Sequence, residues 1–220
     1  EGPAEDLNQT SNTQPVMLAA SYSIAKIWAN STQRNATIMA GHSFGAVSAF
    51  TCAGAMTFRE ATIRARRRGE FMQNAVATGT GAMAAILGME DQTLDDLCKS
   101  ISSEAAVVEA VNYNAPSQVV VAGHNEAVEK LIDQAKQQGA KRALKLPVSV
   151  PAHSSLMLPA AKKFASALAQ VNFELPAVPI IQNATLTSPQ NTDELKSALQ
   201  AQLHSPVRWV DTVAAIKQAG

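Results

Sequence analysis

The chain has 220 residues, the length of one large domain or two small ones. Apolar residues make up 46% and charged residues 16%, which supports a sizeable core and excludes a disordered chain. Lys+Arg and Asp+Glu balance at 18 each, without the basic excess of a nucleic-acid binder, and the two cysteines, Cys52 and Cys98, are too few for a disulfide framework or a cysteine-rich zinc site.

Reduced thiols and a cytoplasmic setting are the resulting expectation. The opening Glu1-Gly2-Pro3-Ala4-Glu5-Asp6 is acidic, lacks the apolar stretch of a signal peptide, and reads as the middle of a protein. Gln14 to Asn30 reads as a helix capped by Thr13, with Pro15 in its first turn and Val16, Ala19, Ala20, Ile24 and Ile27 at helical spacing. Ala36 to Phe58 runs 23 residues without Lys, Arg, Asp or Glu, long enough to cross a bilayer. His42, the glycines and the hydroxyl side chains argue instead for a buried strand, turn and helix, so no membrane segment is expected. The strand is Ala36 to Ala40, the turn Gly41 to Gly45 and the helix Ala46 to Ala55. Phe58 to Asn74 reads as a further helix with a dense arginine face.

From Thr78 to Leu146 the pattern changes. Strands are predicted over Ala82–Leu87, Val107–Tyr113, Gln118–Ala122 and Arg142–Leu146, and helices over Asp91–Ile101 and Asn125–Gln138. The middle strands are joined by the turn Asn114-Ala115-Pro116-Ser117, and Gly139 stops the second helix. The order β-α-β-β-α-β is that of a ferredoxin-like unit, read here as a small subdomain inserted into a larger α/β body. That body resumes at Val148 with a helix from Ser154 to Gln170, a strand from Val178 to Gln182, a helix from Thr192 to Leu203 and another from Trp209 to Gln218. The domain division is therefore residues 1–76, 77–147 and 148–220.

Gly41-His42-Ser43-Phe44-Gly45 fits G-x-S-x-G between a strand and a helix, the context of a nucleophile elbow. Glycines on either side leave room for the sharp turn. The helix N-terminus aims N–H groups at a developing oxyanion, with the Phe44 N–H as the natural first donor. Four histidines are candidates for the base that Ser43 needs. His42 lies in the elbow, where its side chain is expected to turn into the body. His124 is read as a surface or capping residue, and His204 as a cation suited to a helix end. His153 follows Pro147-Val148-Ser149-Val150-Pro151-Ala152, where the small subdomain returns to the body and a cleft is expected. His153 is the predicted base. No acidic residue falls into place as a third member, so a backbone or amide oxygen is left to orient the imidazole. Among Arg64, Arg66, Arg67 and Arg68, most read as a solvated face. One turned to the cleft would hold a substrate carboxylate, and the spacing alone leaves open which.

Six stretches follow one another in order: Gly41–Gly45, Arg68-Gly69-Glu70-Phe71-Met72-Gln73, Gly79–Ala85, Asn112-Tyr113-Asn114-Ala115-Pro116, Val148–His153 and Pro206-Val207-Arg208-Trp209. With them the chain closely resembles the bacterial malonyl-CoA:acyl carrier protein transacylases along its whole length. The resemblance implies an α/β-hydrolase-like body with an inserted ferredoxin-like (βαββαβ) subdomain. It also implies malonyl transfer from CoA to the phosphopantetheine thiol of acyl carrier protein through a malonyl-serine ester, with Ser43 as nucleophile and His153 as base and acid. Arg68 then pairs with the malonyl carboxylate, the Gln202 backbone carbonyl orients His153, and Asn114 lies near the site. The implied protein needs no cofactor or metal, takes a CoA thioester and acyl carrier protein as partners, binds no nucleic acid or membrane, and acts as a cytoplasmic monomer. Phe44 stands where an aliphatic residue is usual, Ala46 where glutamate is common and Ala152 where serine is common. The family's N-terminal Gly-Gln-Gly-Ser-Gln loop, source of a second oxyanion donor, is not found, and both ends are expected to lie inside the family's full domain. Lys141, Arg142, Lys145, Lys162 and Lys163 are candidate docking charges for an acidic carrier protein. A serine hydrolase or thioesterase, and a non-catalytic module that binds carrier protein, are the competing readings.

Overall fold

A computed structural model describes residues 2–148 and 150–219; Ser149 of the stretch before His153 lies outside the described residues. A short helix α1 (Ala4–Leu7) leads into α2 (Thr10–Thr32). The latter starts four residues before the predicted Gln14, and Thr13 lies inside it, not at its cap. Pro15 sits beyond the first turn, where its missing N–H removes one ladder bond. The helix ends where Gln33 turns left-handed at φ 54°. Strand β1 (Met39–Ala40) pairs in parallel with β6 (Ile180–Ile181). Both predicted strands shrink to two residues, because among the described residues each has a single neighbour and Pro179 offers no donor.

Helix α3 (Gly45–Cys52) is buried throughout Ala46–Thr51, and α4 (Phe58–Gln73) is capped by Thr57, whose hydroxyl accepts the Glu60 N–H at 3.2 Å. Helices α2 and α4 touch backbone to backbone. A Cβ on Gly69 would lie 2.5 Å from the Ser11 Cα. That close approach brings Gln14 against Arg68.

A second sheet holds β2 (Gly81–Leu87), β3 (Val108–Ala115), β4 (Gln118–His124) and β5 (Arg142–Lys145) in the order β3-β4-β2-β5. All its pairings are antiparallel. Helices α5 (Asp91–Ile101) and α6 (Asn125–Gln137) cover one face through Ile86, Leu94, Leu97, Val128 and Leu131. The strands run further than the predicted turn allows: β3 continues through Asn114 and Ala115, and the reversal falls at Ser117, with φ 58°. The opposite face, with Met83, Val111 and Ala122, packs on Ala152.

The first sheet lies in its own core of Leu18, Phe50, Phe164, Ile180, Leu195 and Leu199. The predicted helix 154–170 divides into a 3₁₀ turn (Ser155–Met157) and α7 (Leu158–Leu168). Helix α8 (Thr192–Ala201), capped by Asn191, stops two residues short of the predicted Leu203, and α9 (Trp209–Ala219) closes the described chain. Edge strand β3 joins the two parts. The Val207 N–H donates to the Val111 carbonyl at 2.8 Å, and the Tyr113 N–H donates to the Val207 carbonyl at 2.9 Å.

Candidate active site

Ser43 sits at φ 52°, in the left-handed region that a non-glycine residue enters at a cost. What permits the turn is Gly41, where a Cβ would fall 1.9 Å from the Gly45 carbonyl carbon. Gly45 is different: a Cβ there meets nothing within 4 Å, so only the first glycine of the pentapeptide is sterically required. Ser43 donates its own N–H to the Asn183 Oδ1 at 3.0 Å. The Gly45, Ala46 and Val47 N–H groups are taken by the carbonyls of His42, Ser43 and Phe44. Among the described residues the Phe44 N–H has no acceptor, which leaves it available to an oxyanion.

The Ser43 Oγ and the His153 Nε2 are 2.7 Å apart, and the His153 Nδ1 lies 2.7 Å from the Gln202 carbonyl oxygen. A carbonyl only accepts, so Nδ1 carries the hydrogen and Nε2 is left to accept the serine proton. The end of α8 at Ala201 frees this carbonyl: Gln202 lies in a turn and not in a helical ladder. His153 is itself left-handed at φ 68°, held by its N–H to the Leu203 carbonyl at 2.9 Å. Burial, and then the nearby Arg68 charge, push its pKa down to about 3. The imidazole is therefore neutral at rest, as a general base must be.

Of the four arginines, Arg64 pairs with Glu60, and Arg66 and Arg67 pair with Glu70. Arg68 alone turns inward and is 1% exposed. It donates to the Gln14 Oε1 at 3.0 Å, the Met72 Sδ at 3.1 Å and the Gln202 Oε1 at 2.9 Å, and its Nε has no partner among the described residues. Its guanidinium carbon lies 5.8 Å from the Phe44 ring centroid. Burial lowers its pKa from the ordinary guanidinium range to about 10. No carboxylate among the described residues pairs with it, so a buried cation stands there without a charge of opposite sign.

Asn114 reaches the elbow through His42, the neighbour of Ser43. Its Oδ1 meets the His42 Nε2 at 2.7 Å, and the His42 and Trp209 rings meet at 68° with their centroids 5.3 Å apart. His42 thus turns across the seam between the two parts. This corrects the expectation that it points into the body: the half-buried β3 offers it a polar partner that the apolar core does not. His124 lies outside the site, at the end of β4, where its Nδ1 accepts the Val107 N–H. His204 lies in the turn after α8.

Three groups escaped the sequence reading: Gln14, Asn183 and the side chain of Gln202. A polar Gln182-Asn183 directly after the apolar Ile180-Ile181 was a usable signal, since sites form at the ends of parallel strands. Gln14 gave none beyond being polar in a helical pattern. Among the described residues there is no group of three or more metal-ligating side chains, and no helix is long and apolar enough to cross a membrane.

The chain matches the acyl transferase domain family over residues 1–220. The malonyl CoA-acyl carrier protein transacylase of Escherichia coli (strain K12) is 47% identical over 213 residues, covering 97% of this chain and 69% of that protein. The Bacillus subtilis protein of the same name is 40% identical, covering 97% and 67%. The solved malonyl CoA-acyl carrier protein transacylase from Coxiella burnetii superposes with a TM-score of 0.97 at 40% identity, over 100% of this chain and 69% of that one. A malonyl-transacylase in complex with its type II PKS acyl-carrier protein superposes with a TM-score of 0.97 at 44% identity, over 100% and 71%.

Proposed function

Because this chain belongs to the acyl transferase domain family, we propose that it moves a malonyl group from CoA to the phosphopantetheine thiol of acyl carrier protein. The transfer is ping-pong and serves fatty-acid synthesis. The observation that carries the reading is the joint placement of the Ser43–His153 pair, at 2.7 Å, and a buried Arg68 without a carboxylate of its own.

Ser43 Oγ attacks the thioester carbonyl while the His153 Nε2 takes its proton. The oxyanion of the tetrahedral intermediate accepts from the Phe44 N–H. The C–S bond then breaks, and His153 returns the proton to the departing CoA sulfur. In the second half, the carrier thiol gives its proton to His153 and attacks the malonyl-serine ester, and the Ser43 oxygen leaves with that proton. Throughout, the Gln202 carbonyl holds the Nδ1–H, so the imidazole keeps one tautomer without a buried acid. Arg68 receives the distal carboxylate as a charge-assisted pair. Asn114 acts through His42 by bracing the elbow. No cofactor enters these steps.

In the same proposal, the chain is built as an α/β-hydrolase-like body from residues 1–76 and 148–220 with a ferredoxin-like insertion from 77–147. The antiparallel order β3-β4-β2-β5 with two helices on one face supports the insertion. The free thiols of Cys52 and Cys98 suit a reducing, cytoplasmic setting, and a monomer suffices for the chemistry.

Incubation with malonyl-CoA followed by intact-mass measurement tests the reading. A gain of one malonyl that disappears in Ser43→Ala, and that leaves when phosphopantetheinylated carrier protein is added, is the expected result. Release of free malonate without transfer would point to a thioesterase, and no adduct would overturn the enzyme reading.

A further inference from the structure

We infer that the side-chain amide of Gln202, and not only its backbone carbonyl, is a positioning group that ties the Arg68 clamp to the Ser43–His153 pair. The inference rests on the proposed malonyl transfer and concerns how the carboxylate end of the acyl group is felt at its reacting end.

Gln202 makes three contacts with three separate segments. Its Oε1 accepts from the Arg68 Nη2 at 2.9 Å, its Nε2 donates to the Ser43 carbonyl at 2.7 Å, and its own carbonyl faces the His153 Nδ1 at 2.7 Å. The residue is 5% exposed, so water does not stand in readily for any of the three. The Ser43 carbonyl belongs to the left-handed residue that carries the nucleophile, and it also accepts the Ala46 N–H at 3.0 Å. Holding this carbonyl from the far side fixes the peptide on which the Oγ is mounted. At the other end of the same amide, Arg68 has only neutral partners and an unpaired Nε. A guanidinium so placed redirects its hydrogen bonds when an anion arrives. The only group it shares with the nucleophile among these partners is the Gln202 amide. Recognition of the carboxylate and alignment of the serine are therefore mechanically one event.

Two substitutions keep the backbone carbonyl and change only the amide. Gln202→Glu sets a resident carboxylate against Arg68, where it competes with the malonyl carboxylate. By the worth of charge-assisted hydrogen bonds, KM for malonyl-CoA should rise roughly tenfold to a hundredfold, and the ratio of malonyl to acetyl loading should fall at least tenfold. That fall should vanish when Gln202→Glu is made in an Arg68→Met background. Gln202→Met removes both amide contacts and should lower kcat for malonyl and acetyl thioesters alike by about tenfold, and slow the labelling of Ser43 by a fluorophosphonate to match.

An unmoved malonyl-to-acetyl ratio in Gln202→Glu, or wild-type kcat and labelling rate in Gln202→Met, would overturn the inference. A wild-type chain that takes up no malonyl would instead overturn the functional reading. The positioning role is then decided by the fluorophosphonate rate alone, which needs no thioester.

Discussion

Arg68→Met separates what the buried guanidinium costs the fold from what it does for the substrate. Burial pulls its pKa from the ordinary guanidinium range down to about 10, which corresponds to about 3 kcal/mol against folding. For a base whose folded pKa is depressed, the penalty is fully present at every pH below the folded value. It is therefore constant between pH 6 and 9. Methionine removes the charge and keeps most of the volume, which recovers that amount. It also strips the Gln14 Oε1 and Gln202 Oε1 of their donor, and a buried acceptor left unpaired costs about 1–3 kcal/mol. The two effects oppose and nearly cancel, so stability should stay within about 3 kcal/mol of the parent, a few degrees to about ten in Tm. Malonyl loading loses a bidentate charge-assisted pair worth about 1.5–3 kcal/mol per bond, or about 10²–10⁴ in rate. Acetyl loading has no such bond to lose. Urea melts and the time course of mass gain with malonyl-CoA and acetyl-CoA read both quantities. Equal losses on the two thioesters, or destabilisation beyond about 5 kcal/mol, would refute the assignment of this arginine as a clamp and make it a structural keystone.

His153 should remain a competent base well below the 6.5 of ordinary imidazole, because burial and the Arg68 charge hold its pKa down to about 3; the acid limb of Ser43 acylation should lie below pH 5, as stopped-flow acylation rates will show. The same depression makes the unfolded chain the better proton binder between pH 6.5 and 3, so stability falls as pH drops through that window, and His153→Gln should flatten the fall in acid titrations of unfolding. Gly41→Ala should cost about 3 kcal/mol or more, since its Cβ would lie 1.9 Å from the Gly45 backbone, whereas Gly45→Ala should be neutral or stabilising by about 0.5–1 kcal/mol in denaturant melts. Carrier-protein affinity should weaken with added salt and with charge removal at Lys141, Arg142, Lys162 and Lys163, measured by calorimetry; Lys145 should matter least of the five, because Glu129 already holds it at 2.7 Å.

The parts of the fold that were legible are those whose partners are close in sequence. The antiparallel β3–β4 hairpin and the two amphipathic helices beside it carry their own periodicity, and α5 runs over Asp91–Ile101 as the sequence reading has it. The elbow was legible because strand, turn and helix are contiguous. Strands β1 and β6 were overestimated because apolar runs report burial, while strand length depends on a partner some 140 residues away. Helix α8 is shorter than its apolar period for a related reason. Leu203 continues the apolar period, yet the chain unwinds at Gln202, whose carbonyl serves His153. Arg68 was more readable than the spacing argument allowed. The buried stripe of α4 is Ala61, Ala65, Arg68, Gly69 and Met72, and Arg68 is the only one of the four arginines on it. A cation on an apolar stripe is the informative observation. Gln14 lies out of reach of the sequence, since its meaning rests on a contact across 54 residues, whereas Asn183, bonded across 140 residues, is at least marked by its place after the apolar Ile180-Ile181.

The groups of the candidate site come from segments with no sequence continuity, and reactivity needs them aligned to within about 0.5 Å. Strand β3 supplies much of that alignment. Its Glu109 carboxylate accepts from the N–H and Oγ of Ser155, two residues beyond His153. Its Val111 and Tyr113 exchange backbone hydrogen bonds with Val207, in the segment that follows Gln202. Its Asn114 meets His42, the neighbour of Ser43. An edge strand left open would be a liability; here it is closed by the body that carries the reacting groups. Glu109→Gln tests the first of these ties. An amide keeps one acceptor but loses the charge that gathers both Ser155 donors, so Ser43 acylation should slow by about three- to tenfold. Ser155→Ala should add little further loss in the double variant, because both changes break the same tie. Fully additive losses would mean that Glu109 acts on the site by some route other than the loop that carries His153.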